Sequence, residues 1–159
     1  GKILTELMGV HYGKKYFKRL IIFRPHNVYG PGEGSEHVIP DFIRKFNLLK
    51  KKNKKFEIQG SGNEIRSFIY IDDFVSAFNL ILEKGKHLNI YNVGTSERIK
   101  IKNLAYKMAR FYKRKIIIKK ISLRKGSTKY RVPDIKKIKK LGFKPRFNLH
   151  RGLKKILFL

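Results

Sequence analysis

Residues 20–34 read LIIFRPHNVYGPGEG, and this stretch decides the fold. Leu20-Ile21-Ile22-Phe23 is a short apolar run with charge before it and Arg24-Pro25 after it. An unbroken apolar run of that length suits a strand buried on both faces, the setting of a parallel sheet. The next residues differ in character. Arg24-Pro25-His26-Asn27-Val28-Tyr29-Gly30-Pro31 combines two prolines, which fix the backbone, with a glycine, which frees it. That mixture reads as a shaped loop leaving the carboxyl end of a strand. In open α/β sheets, ligands bind at those ends.

Outward from this stretch the chain alternates. Residues 2–16 predict a helix, because Ile3, Leu4, Leu7, Met8 and His11 recur at helical spacing and no proline interrupts them. Val38 to Lys50 predicts another, with Pro40 tolerated in its first turn. Phe56-Glu57-Ile58-Gln59 alternates as a strand, Gly60-Ser61-Gly62-Asn63 turns, and Arg66 to Ile71 extends again. Asp72 or Asp73 is expected to cap a helix running to about Lys84, with Phe74, Ala77, Phe78, Ile81 and Leu82 as its apolar face. Strands at 88–94 and 116–118 follow, with helices at 101–112, at 135–140 and near the C-terminus. The pattern defines an α/β protein with a mostly parallel sheet.

Composition narrows the function classes. The chain has 159 residues, enough for one modest domain or a part of a larger one. Its 42% apolar content argues against global disorder. The absence of cysteine excludes disulfides, thiolate metal sites and cysteine nucleophiles. No apolar run approaches the roughly 20 residues of a spanning helix, so a cytoplasmic location without membrane attachment is the expectation. Lys and Arg number 39 against 11 Asp and Glu, a formal net charge of +28. Such an excess attracts polyanions. The lysines are dispersed, however, in Lys50-Lys51-Lys52 with Lys54-Lys55, in Lys119-Lys120, and in Lys136-Lys137 with Lys139-Lys140. They accompany abundant Ile, Asn and Phe, residues with A/T-rich codons, so base composition accounts for the surplus. Nucleic acid is therefore not the expected partner, and a nucleotide diphosphate would suit a basic cleft.

Three loops carry candidate chemistry. Asn27 offers a donor and an acceptor to a sugar hydroxyl or phosphate, although Asn27 and Gly30 also suit a plain turn. Gly60-Ser61-Gly62 leading to Arg66 suits a phosphate-facing turn, but taken alone it reads rather as an ordinary hairpin with a surface arginine. In Arg131-Val132-Pro133-Asp134, Asp134 can cap a helix, while Arg131 faces either a ligand or a carboxylate. His11, His26, His37, His87 and His150 lack the pairing of a metal site. Asp72-Asp73 reads as helix caps rather than as paired catalytic acids.

Four segments in order, RPHNVYGPGEGSEHVIPDF (24–42), FEIQGSGNEIRSFIYIDD (56–73), LNIYNVGTSERIKI (88–101) and RVPDIKKIKKLGFKP (131–145), carry a family resemblance. The chain resembles the C-terminal portion of an extended short-chain dehydrogenase/reductase of the NAD-dependent nucleotide-sugar epimerase/dehydratase family. The resemblance implies the C-terminal part of a Rossmann-like doubly wound parallel sheet plus a small α/β substrate-binding subdomain. Residues 1–34 would be the remnant of the NAD-binding domain. Residues 35–159 would be mainly the substrate-binding subdomain, with about 67–95 returning to the sheet.

The family uses a Tyr-x-x-x-Lys pair, commonly followed by Glu four residues after the Lys, and Lys2 with Glu6 fits that spacing. The Tyr would fall three residues before Gly1, so the chain is expected to be a fragment lacking it, inactive in isolation. The glycine-rich dinucleotide fingerprint is likewise not in the chain. By resemblance Lys2 is catalytic and holds the nicotinamide ribose, and Pro25 and His26 lie beside the nicotinamide of NAD. Asn27, His37, Val38, Gln59, Arg66 and Arg131 bind a nucleotide diphosphate sugar. The implied activity is that of a UDP-glucose 4-epimerase, by transient oxidation of the sugar and hydride return, with a homodimer for the complete protein. The alternatives are a 4,6-dehydratase or decarboxylase of the same family, a nucleotide-sugar binding module without catalysis, and a basic nucleic-acid-binding protein.

Overall fold

The computed structural model describes residues 1–50, 54–122 and 126–158, which leaves Lys51 and Lys52 of the first lysine run outside. In chain order the elements are α1 (Lys2–Tyr16), β1 (Ile22–Pro25), β2 (Val28–Tyr29), α2 (Val38–Leu48), β3 (Lys55–Gln59), β4 (Ile65–Arg66) and β5 (Ile69–Tyr70). Then come α3 (Ile71–Lys84), β6 (Ile90–Val93), β7 (Ile99–Lys100), α4 (Ile101–Phe111), β8 (Ile117–Ile121), β9 (Tyr130–Arg131), α5 (Lys136–Lys139) and α6 (Leu149–Leu157). The class is α/β, as the alternation predicts.

Pairing among the described residues is largely parallel. β1 lies beside β6 from Ile22↔Ile90 to Pro25↔Val93, β2 beside β5, and β3 beside β8. Parallel neighbours need a crossover, and the chain from β1 to its partner β6 passes through α2 and α3 on the way. β4 is the exception, antiparallel to β7 on one side and parallel to β9 on the other.

Two expectations are corrected here. The extended run at Arg66–Ile71 is two strands, because β4 and β5 belong to different sheets. The break at Ser67-Phe68 is buried, so its carbonyls need partners. Asn27 Nδ2 donates to the Ser67 carbonyl at 2.7 Å, and Thr95 Oγ1 to that of Phe68 at 3.0 Å. The glycine turn at 60–63 does not make a hairpin either, since β3 pairs with β8 and β4 with β7 and β9.

Two apolar clusters hold the molecule. In one, Phe42 and Phe46 of α2 meet Phe56, the latter pair stacked at 4.4 Å, with Leu104, Ala105 and Met108 of α4 alongside. In the other, Ala77 and Ile81 of α3 pack with Tyr91, Val93, Ile135, Ile138 and Phe143. The expected α3 face is narrower than its spacing suggests, because Leu82 is 52% exposed. α1 forms where expected but buries little. Ile3 is 78% exposed, Leu4, Leu7 and Met8 are also exposed, and Gly13 is its one buried residue. Helical spacing sets which residues share a face, not whether the face is covered.

The paired aspartates also depart from expectation. The α3 N-cap is Tyr70, and both aspartates sit inside the first turn. Asp73 is buried and accepts from the backbone N–H of Arg146 (3.0 Å to each oxygen) and of Phe147 (2.8 Å). Asp72 pairs with Lys155 at 2.7 Å, and Glu97 Oε2 accepts from Leu149 N at 2.8 Å. Acids on α3 and on the β6–β7 loop thus hold the start of α6. Among the described residues, no helix is long and apolar enough to cross a membrane.

A hydrogen bond to a charged group contributes about 1.5–3 kcal/mol, whereas an exposed ion pair contributes roughly 0–1 kcal/mol. Asp73→Ala should therefore lower stability by about 3 kcal/mol, from its lost bonds and the two backbone donors left without a partner. Asp72→Ala should cost less than about 1 kcal/mol. Urea denaturation followed by circular dichroism measures both, and equal losses would refute the assignment.

Candidate functional site

An open cleft of about 610 Å³ lies where the β1–α2 loop, the α2 N-terminus, β3 and β4 meet. Asn27, His37, Val38, Gln59 and Arg66 all line it. Each arrives from a different local cause. Asn27 adopts φ +42°, a left-handed conformation that asparagine tolerates better than most residues. Its amide nitrogen is engaged with Ser67, and the residue forms one wall. His37 is the N-cap residue of α2 and Val38 its first helical residue. On β3 the side chains alternate, so Phe56 and Ile58 are buried while Glu57 and Gln59 face the cleft.

Arg66 and Arg131 are register partners on the parallel strands β4 and β9. Arg66 lines the cleft, whereas Arg131 sits exposed at the adjacent strand position and outside the lining. The Arg66 guanidinium donates to the carbonyls of Ile65 (2.9 Å) and Thr128 (2.8 Å). Burial pulls its pKa below the ordinary arginine value, and the neighbouring Arg131 pulls it further, with Glu64 acting the other way. Among the described residues neither guanidinium forms an ion pair with a carboxylate. Arginines without a carboxylate partner have the charge and the donors that a diphosphate would need.

Glu64 organises the approach to Arg66. It is 7% exposed, and its Oε1 accepts from the Ser61 N–H (3.0 Å) and hydroxyl (2.9 Å). Burial works against its charge, but N–H groups of Glu64, Ser61 and Gly62 and the Ser61 hydroxyl outweigh it and hold its pKa low. Gly62 is the turn position that cannot change. Its φ is +78°, and a Cβ there would lie 2.6 Å from Ile58 Cδ1.

Lys2, Pro25 and His26 lie outside that cleft lining, near the carboxyl ends of β1 and β6. The Glu6 carboxylate receives Arg24 Nε at 2.9 Å, which lays α1 against β1. Gly9 and Gly13 of α1 approach Leu20, before β1, while Glu6 reaches Arg24 within it, so α1 runs against β1 and its first turn, with Lys2, points toward the carboxyl end. His26 has a pKa below the usual histidine value, from burial first and then from Arg131 and Arg24, opposed by a hydrogen bond with Asn92.

Sequence reasoning missed several lining residues. Asp41, Arg44 and Lys45 form an i,i+3 and i,i+4 ion-pair set on the cleft side of α2, at 2.8 Å and 2.6 Å. That spacing was readable from the sequence. Glu57 shares a strand face with Gln59 and was readable by period two. Ser127 and Ile121 come from distant segments and leave no local signal.

The profile of the NAD dependent epimerase/dehydratase family matches residues 1–94, and the chain belongs to that family. It is 33% identical over 155 residues to the trifunctional UDP-glucose 4,6-dehydratase/UDP-4-keto-6-deoxy-D-glucose 3,5-epimerase/UDP-4-keto-L-rhamnose-reductase RHM2 of Arabidopsis thaliana, covering 96% of this chain and 23% of that protein. It is 33% identical over 161 residues to the dTDP-D-glucose 4,6-dehydratase of Mus musculus, covering 97% and 44%. Among solved structures, the UDP-glucose 4-epimerase of Thermotoga maritima, crystallised with UDP-glucose, superposes with a TM-score of 0.87 at 27% identity, covering 98% of this chain and 50% of that one. The chain thus spans half or less of the length of these proteins.

An acid in a small cavity that shares Asn27, His37 and Val38 with the cleft gives a pH test. Glu33 has its pKa raised by burial, with His37 acting in the other direction, and its Oε2 is buried without a hydrogen-bond partner. A carboxyl whose folded-state pKa exceeds its unfolded value gives stability that is full below the unfolded pKa and lost as pH rises through the folded one. Glu33→Gln should therefore raise the melting temperature near pH 7.5 and lose that advantage near pH 4, below the ordinary glutamate pKa of about 4.3. An equal effect at both pH values would refute the placement.

Proposed function

We propose that this chain binds a nucleoside diphosphate sugar in the β3–β4 cleft and presents the sugar to NAD at the carboxyl ends of β1 and β6. The activity that fits is that of an NAD-dependent nucleotide-sugar epimerase resembling UDP-glucose 4-epimerase. The supporting observation is convergence. Asn27, His37, Val38, Gln59 and Arg66, chosen from segments spread over forty positions of sequence, line one cleft, and Arg131 stands beside Arg66.

The residues near the head of β1 suit the cofactor. Lys2 supplies a cation toward that end, suited to ribose hydroxyls, and Pro25 and His26 border it. The nicotinamide, when bound, accepts a hydride from the sugar carbon and returns it. The protein's part is orientation: Arg66 and Arg131 fix the diphosphate, and Asn27, on the loop from β1, stands between the cleft and the cofactor end. On this reading residues 1–34 serve the cofactor side and 35–159 mainly the substrate side, with about 67–95 rejoining the sheet.

A second reading, a 4,6-dehydratase, draws on the Arabidopsis and mouse relatives, whose names carry that activity. Both readings use the same diphosphate grip and differ in nucleotide and in the chemistry after oxidation.

Isothermal titration of the 159-residue chain with UDP-glucose tests the grip. Arg66→Ala and Arg131→Ala should each weaken binding about tenfold or more, the loss of a charge-assisted contact of about 1.5–3 kcal/mol. Uridine without phosphate should be indifferent to both substitutions. Preference for dTDP-glucose over UDP-glucose would favour the dehydratase reading, and no binding of either sugar nucleotide would overturn both.

A further inference from the structure

A histidine stands between the two sides of this site. The His26 N–H donates to the Val93 carbonyl at 2.9 Å, which makes it the next residue of the β1–β6 pair. The Asn92 side chain, which favours the charged form of the ring, donates from Nδ2 to the Asp134 carbonyl at 3.1 Å. Asp134 belongs to the segment that continues from Arg131 through Pro133. Gly94 lets that segment close on the histidine. A Cβ there would lie 2.7 Å from Pro133 Cγ and 3.2 Å from His26 Cβ.

The charged groups acting on the ring are Arg131 from β9 and Arg24 from β1. Arg24 is already paired with Glu6, while Arg131 makes no ion pair among the described residues. The Asp134 carboxylate is turned to its own helix, accepting from Lys136 N at 2.8 Å. The segment from Arg131 to Pro133 thus closes over Gly94 next to His26, and of the two arginines whose charge acts on the ring only Arg24 has a carboxylate partner.

We propose that His26 takes up a proton when a dianionic diphosphate occupies the Arg66–Arg131 pair, so that ligand binding creates a new cation at the head of β1. This rests on the reading of the two arginines as the diphosphate grip. The phosphates offset the Arg131 charge and remove its repulsion of the imidazolium, and the proton comes from solvent. Coupling of this kind is reciprocal, so protonation of His26 tightens ligand binding by the same factor. The bound-state pKa exceeds the free-state pKa. The gain in affinity is therefore complete below the free-state value and lost as pH rises through the bound-state value. Its consequence at the site is a proton donor on the residue adjoining Asn27, present only when substrate is.

The probe is UDP-glucose, whose diphosphate diester does not itself titrate near neutrality. The full chain labelled with ¹⁵N-histidine is titrated by NMR with and without UDP-glucose, with the His26 signal assigned from His26→Asn. The His26 midpoint should rise in the complex. Affinity should be about threefold to tenfold higher near pH 5.5 than near pH 8, since one unit of pKa shift is about a factor of ten. His26→Asn should flatten that dependence, and Arg131→Gln should raise the His26 midpoint in the free chain. If UDP-glucose binds and the His26 midpoint stays fixed, or if Arg131→Gln leaves it unmoved, the proposal is wrong while the diphosphate reading stands. If UDP-glucose does not bind at either pH, the diphosphate reading falls and the proposal falls with it.

Discussion

Two arginines at facing positions of neighbouring strands repel, and the region around β4 is built to hold them. Strand pairing supplies the restraint. Arg66 is fixed by hydrogen bonding to β7 on one side and β9 on the other, and the β4–β9 register puts Arg131 directly beside it. The Glu64 carboxylate, tied to the Ser61 turn, fixes where β4 begins. In a protein of this charge a free arginine pair would drift toward any carboxylate within reach. Here backbone carbonyls of Ile65 and Thr128 satisfy the Arg66 guanidinium and leave its charge uncompensated. An arginine at the cleft wall with a second arginine at the next strand, rather than the +28 surplus as a whole, is the local electrostatic feature.

The scarcity of acids makes their positions informative. Only 11 residues carry negative charge, and several of them do structural work. Glu6 lays α1 on β1, Asp41 orders two cations on α2, and Asp73 and Glu97 bind backbone N–H groups that begin α6. Asp134 caps the turn after Arg131. Acids committed in this way are not free to neutralise the arginines.

Much of this was legible in residues 20–34 and in the three later segments, because glycine, proline and asparagine at strand ends constrain the backbone locally. The helices at 2–16, 38–48 and 101–111 follow from spacing for the same reason. Three features were not legible. β7 and β9 are two residues long, below the length at which a period can be counted, and they exist because β4 lies between them. Asp73 carries the signature of a helix cap, and its use as an anchor for Arg146 and Phe147 depends on a segment more than seventy residues away. The exposure of α1 is set by what stands next to it, which its own periodicity does not encode. Of the site, the cleft residues were named in the sequence from family likeness. Spacing alone left Asn27 balanced between a turn and a ligand contact, read Arg66 as a surface arginine after a hairpin, and said nothing of His37, Val38 or Gln59.

The Ser67-Phe68 break shows why those loops had to be read together. Splitting one extended run lets Arg66 enter the mixed sheet of β7 and β9 while Ile69 pairs with Val28 beside the other cluster. The cost is two buried carbonyls, and their partners come from Asn27 and Thr95, the loops after β1 and β6. The residue that forms a cleft wall is therefore also the residue that closes the break, and its left-handed backbone puts the amide in reach of Ser67. The geometry of the cleft wall is thus tied to the carboxyl end of β1 through a side-chain hydrogen bond, not through a continuous sheet. Such a joint keeps the two sides in register while leaving each with its own apolar core.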